Sequence, residues 1–193
     1  FRRVLAEGAY SEALIPVFSD IILESKDDPE AADFVENTMS MLLIITVTLS
    51  VLFYFGMPYV IQVLAPGFSV NKEAFDLAVD FGKIIFPYLI FISLVAHFTS
   101  IVNVHEKFAA GAFVPAILNI SFILSLFFLT PYLSSAGHAL AYGVLIGGIA
   151  QFVFMYRAVL EFYKPRLRFP KINNKIKKFF TLFFPGVIGS GVI

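Results

Sequence analysis

The 193-residue chain is 59% hydrophobic and only 15% charged, carries 24 Phe and has a mean hydropathy of +0.84, values that exclude a soluble globular domain and predict an integral membrane protein. Its 14 Lys and Arg balance 14 Asp and Glu, yet eight of those cations fall between Arg157 and Lys178, a local excess that favours the cytoplasmic face. Cysteine is absent, which excludes disulfides, thiolate metal sites and a Cys nucleophile, and His97, His105 and His138 lack metal-ligand spacing, so neither metal nor cofactor is expected.

The first predicted element is a polar span at about 2–23, opening FRRVLAEGAYSEALIPVF. Charge inside a membrane is costly and marks function by default. Arg3 and Glu7 are spaced i, i+4 and share a helix face that Ser11 continues, while Glu12 and Asp20 add polarity that lipid would not tolerate. This helix is expected to line a water-filled cavity. The planar fork of arginine matches phosphate oxygens, so Arg2 and Arg3 suggest a site for an anionic head group. On spacing alone the simpler reading is an interfacial arginine pair reaching out to lipid phosphates.

Further along, no ionised residue occurs between Glu36 and Lys72, Lys83 and Glu106, or Lys107 and Arg157, and each gap exceeds the roughly 20 residues that cross a bilayer. The last gap is too long for one crossing and is divided by Thr130-Pro131-Tyr132, Ser134-Ser135 and Gly137. The predicted fold is an all-α polytopic bundle. Residues 1–163 hold five spans, at about 2–23, 38–64, 77–103, 109–130 and 138–162; residues 164–177 form a basic cytoplasmic linker, and 178–193 begin the next span. Pro16, Pro58, Pro87, Pro115 and Pro185 fall within spans and predict kinks, a feature common in membrane bundles and suited to a moving transporter. An opening without Met and a final apolar run predict a piece of a longer polytopic chain, with no signal peptide in view.

With the linker cytoplasmic, loops 24–36 and 103–108 share its side, and Lys and Arg divide ten against four in favour of that orientation. Arg2 and Arg3 then lie on the disfavoured side, which calls for another reason, and anion binding is the simplest. The linker cations serve as a topology determinant, with attraction of anionic lipid as the alternative. His97 reads more simply as a packed, hydrogen-bonded histidine than as a proton relay. Asp76, Asp80 and Lys83 suit a helix start, Asn103, Asn119 and Gln151 suit bonds across helices, and Gly143 and Gly147 form a small-xxx-small pair for close packing. GVIGSG at 186–191 follows a helix start and has no P-loop Lys, so it predicts no nucleotide site; nucleic-acid binding is not expected.

FRRVLAEGAYSEALIPVF resembles the second-span signature of the MurJ/MviN family of lipid II flippases, and LAPGF at 64–68, FPYLIFISL at 86–94, KFAAGAFVPAILNI at 107–120 and FFPGVIGSGV at 183–192 resemble later spans in order. Leu5, Tyr10 and Leu14-Ile15 depart from the usual Phe, Phe and Phe-Val, and no charge is affected. The resemblance implies the multidrug/oligosaccharidyl-lipid/polysaccharide exporter superfamily, in which fourteen spans form two six-helix lobes around a central cavity.

By this likeness Arg2 corresponds to a cavity arginine facing the pyrophosphate of lipid II, Arg3 assists it, and Glu7 and Ser11 line or gate the cavity. The implied substrate is the undecaprenyl-pyrophosphate-linked glycopeptide, moved across a bacterial inner membrane by alternating access, with an ion gradient or membrane potential resetting the cycle and no covalent chemistry. The implied partners are membrane lipids and the remaining spans of the same polypeptide. The alternatives are another polysaccharide-lipid exporter, a multidrug/cation antiporter of the superfamily, or a non-transporting cell-wall scaffold.

Overall fold

The computed structural model describes residues 9–24 and 29–191, and among these every regular element is helical. Helix α1 (Ala9–Glu24) is followed by α2 (Pro29–Leu64), a 3-10 turn at Pro66–Val70, α3 (Lys72–Ile85), α4 (Tyr88–Val104), α5 (Phe108–Leu129), a 3-10 turn at Thr130–Tyr132, α6 (Ala136–Val159) and α7 (Asn174–Gly191). Among the described residues, four stretches are long and apolar enough to cross a membrane: Glu30–Leu64, Lys72–Val104, Phe108–Tyr132 and Ala136–Val159. His105, just past α4, stacks on Phe162, just past α6, at 4.4 Å and 9°, and meets the edge of Phe18 at 6.4 Å. These contacts gather the ends of α1, α4 and α6 at one pole, called the linker end below.

Helix α2 starts nine residues before the span expected at 38–64. Residues 29–37 are too polar for lipid, but the helix continues because its acidic side chains are paired by the linker, as described below. At 36 residues and 1.5 Å each, α2 is about 54 Å long, well beyond the roughly 30 Å hydrocarbon core, so several turns stand outside the membrane. Helix α7 likewise begins four residues ahead of the expected 178, where the Asn173 side chain accepts a hydrogen bond from Ile176 N at 2.8 Å and caps it.

The expected span 77–103 is two helices. Pro87 has no N–H to return to the preceding turn, so α3 ends on Phe86 N donating to Gly82 O at 2.9 Å, and α4 restarts with Leu89 N donating to Phe86 O at 3.0 Å. Phe53 of α2 stacks on Phe86 at 4.6 Å and packs the break. Pro16, Pro58, Pro115 and Pro185 are instead carried inside continuous helices. Asn71 caps α3 and Ser135 caps α6, accepting from Ala74 N and His138 N.

The core joins Leu14, Phe18 and Ile21 of α1 to Phe34 of α2, Phe98 and Ile101 of α4, Met155 of α6 and Phe179 of α7. Outward, Phe113, Ile120, Phe127 and Phe128 of α5 and Val51, Phe55 and Tyr59 of α2 are exposed, as lipid-facing side chains must be. Since lipid is as apolar as these residues, helix association depends on close fit. That fit is close between α5 and α6. A Cβ on Gly143 would lie 2.9 Å from Ser125 Oγ, and one on Gly147 would lie 2.7 Å from Leu118 Cδ1; Ser121 Oγ donates to Gly143 O at 2.8 Å.

Candidate functional site

Of the four residues expected to form the site, Arg2, Arg3 and Glu7 lie outside the described residues. Ser11 lies on α1, half-buried against α4. The Ser100 hydroxyl is shared between Ser11 Oγ and the Ala96 carbonyl oxygen, each 2.8 Å away. Ser11 also lines a cleft of about 250 Å³ with Thr99 and Asn103 of α4 and Gly111 and Pro115 of α5. Ser11 therefore opens onto a small cleft between α1, α4 and α5.

The neighbouring residue fixes α1 more firmly. Tyr10 is fully buried, its hydroxyl 2.8 Å from Nδ1 of the equally buried His97. The tyrosine ring meets Phe179 and Phe183 of α7 edge-on at 5.5 and 6.4 Å. One residue thus ties α1 to α4 by a polar bond and to α7 by aromatic packing. His97 is a packed, hydrogen-bonded histidine, the simpler of its two sequence readings.

A second polar constellation, unforeseen as such, covers the linker end. The segment after α6 runs extended across the start of α2 before turning into α7. Arg168 donates from Nη1 to Asp33 Oδ1 at 2.8 Å, and its Nε contacts the Glu36 carboxylate. Its backbone N donates to Ser40 Oγ at 3.2 Å, and Lys171 N donates to Asn37 Oδ1 at 2.9 Å. In α7, Lys175 reaches Glu30 at 3.0 Å and Lys178 reaches Asp20 at 2.8 Å. The acidic α1–α2 corner therefore holds the linker along its length.

These pairs differ in strength for a physical reason. Glu36 is 3% exposed, whereas both partners of Lys178–Asp20 are more than half exposed. Exposed pairs contribute about 0.2–1 kcal/mol; stripping the partner from a buried carboxylate costs about 3–5 kcal/mol. Arg168–Glu36 is the dominant contact. Burial, with the Glu36 carboxylate beside it, pushes the Tyr163 hydroxyl above its ordinary range and keeps it neutral within this cluster. The signal was present in sequence as acidic residues 24–36 facing eight linker cations, but their pairing depends on how the chain returns.

At the opposite end, Lys83 lies 5.9 Å over the Tyr54 ring, and Asp80, His138 and Tyr142 flank the same cleft of about 340 Å³. Gln151 of α6 donates to Val114 O on α5 at 2.9 Å and accepts from Tyr88 of α4 at 3.4 Å, the cross-helix role expected of it.

Apolar helices crossing back and forth, a proline-broken third span and polar side chains bonded from helix to helix define a polytopic α-helical membrane protein. Residues 1–193 match the family described as lipid II flippase MurJ. A probable lipid II flippase MurJ of Rickettsia prowazekii is 37% identical over 196 residues, covering all of this chain and 38% of that protein. A lipid II flippase MurJ of Burkholderia cenocepacia is 35% identical over 152 residues, 79% of this chain and 29% of that protein. Among solved structures, lipid II flippase MurJ in the inward closed conformation superimposes with a TM-score of 0.78 and 29% identity, over 98% of this chain and 38% of that one. The chain belongs to the MurJ family and spans less than two fifths of the length of these relatives.

Proposed function

We propose that this chain forms part of a lipid II flippase that carries the lipid-linked peptidoglycan precursor across a bacterial inner membrane by alternating access, with no covalent chemistry. The observation that carries this reading is the family match along all 193 residues, which includes the arginine-bearing opening motif. In it the linker end faces the cytoplasm. Arg2, helped by Arg3, receives the pyrophosphate through charge-assisted hydrogen bonds, while Glu7 and Ser11 line or gate the path. The undecaprenyl tail stays in lipid, and rocking of two lobes exposes the head group on the other side.

The test is reconstitution of the full-length protein in vesicles loaded on one face with fluorescent lipid II. Transfer to the other leaflet well above that in empty vesicles is expected. Transfer no faster than in empty vesicles overturns the reading.

A further inference from the structure

We infer that the linker between α6 and α7 is a two-part charge latch, in which Arg168 is a fixed anchor on α2 and Lys175 and Lys178 are releasable catches that hold α7 against α1 and α2. The inference rests on the transporter reading only in supposing that α7 moves relative to α1 during the cycle.

The two parts follow from burial and geometry. At the anchor, Arg168 spans Asp33 and Glu36, its own backbone N is bonded to Ser40, and Lys171 N is bonded to Asn37. Four contacts of side chain and backbone fall on consecutive turns of α2, and the Glu36 carboxylate is out of water. Releasing Arg168 leaves that carboxylate buried without its counter-charge, so this part stays shut. The catches are different. Lys178 and Asp20 are 57% and 54% exposed and Lys175 and Glu30 24% and 49%, so each catch has at least one half-exposed charge for which water and salt compete. Between anchor and catch runs a short extended segment with no helical hydrogen bonds of its own, ending at the Asn173 cap.

That layout lets the start of α7 swing while the linker stays fastened. The same swing unseats Phe179 and Phe183 from Tyr10, since Phe179 directly follows Lys178 and Phe183 lies just over one turn further along α7. The latch is thereby connected to the aromatic contact between α1 and α7.

Spin-label distances in the full-length protein test this without any transport assay. Labels at Leu23 and Lys177, which leave the four ion pairs intact, report the catch; labels at Ala32 and Leu167 report the anchor. The catch pair is expected to show a short and a long distance, and Lys175→Glu with Lys178→Glu is expected to deplete the short population at least threefold. Adding Asp20→Lys and Glu30→Lys should restore it. The anchor pair should keep one distance throughout. A catch distance indifferent to charge reversal, or an anchor that moves together with it, overturns the latch. Failure of vesicles to transfer lipid II would sink the flippase reading while leaving these distances as measured.

Discussion

The Tyr10 hydroxyl and His97 Nδ1 meet at 2.8 Å across 87 positions of sequence, both side chains sealed from solvent. Because each partner is buried, the bond matters most through what its loss leaves behind. Tyr10→Phe strands an imidazole nitrogen and should destabilise the protein by about 1–3 kcal/mol, whereas Tyr10→Phe with His97→Leu, which removes both polar partners, should recover most of the loss. Thermal unfolding of the purified full-length protein measures both. A single variant as stable as the parent contradicts the role given to this pair.

Arg168 and Lys178 make ion pairs at nearly the same distance range from their carboxylates, but only the first faces a buried one. Arg168→Ala is expected to cost about 3–5 kcal/mol and Lys178→Ala no more than about 1 kcal/mol. Equal losses in denaturation would show that burial of Glu36 does not set the order.

Glycines of α6 divide in the same way from a glycine of α2. A methyl at Gly143 meets Ser125 at 2.9–3.0 Å, while nothing lies within 4 Å of a Cβ at Gly56. Gly143→Ala should destabilise by about 1–3 kcal/mol through overpacking, and Gly56→Ala should be neutral or stabilise by up to about 1 kcal/mol. The two melting temperatures should therefore move in different directions, or the first alone should fall.

His105 lies outside the spans, stacked on Phe162, and burial lowers its pKa from 6.5. The folded state then holds the proton less tightly than the unfolded chain, so this group's contribution is fully present above pH 6.5 and is lost as pH falls below it toward the folded pKa. His105→Phe should flatten that acid-side loss. An NMR titration midpoint for His105 at or above 6.5 contradicts the sign.

Much of this fold was legible because long apolar runs end at charges and turn residues: α5 and α6 fall within three residues of their expected bounds. Hydropathy failed where tertiary pairing extends a helix into polar sequence. Glu30, Asp33 and Glu36 end the apolar run, yet the linker neutralises them and α2 continues. The charged corner is visible in the sequence as composition, which reads as a topology determinant or a lipid attractor, since nothing local shows that Arg168 returns to Asp33 across 135 positions. Tyr10 with His97 was hidden for the same reason. Arg2 and Arg3 stand out in the sequence through the cost of charge in a membrane, and their role at a site is a proposal.

The central claim is that Arg2 faces a pyrophosphate. Charge-assisted hydrogen bonds contribute about 1.5–3 kcal/mol, so Arg2→Ala in the full-length protein should cut lipid II translocation roughly tenfold or more, with protein levels unchanged and growth failing when it is the sole copy. Normal growth and normal lipid II translocation by the Arg2→Ala protein would contradict the account.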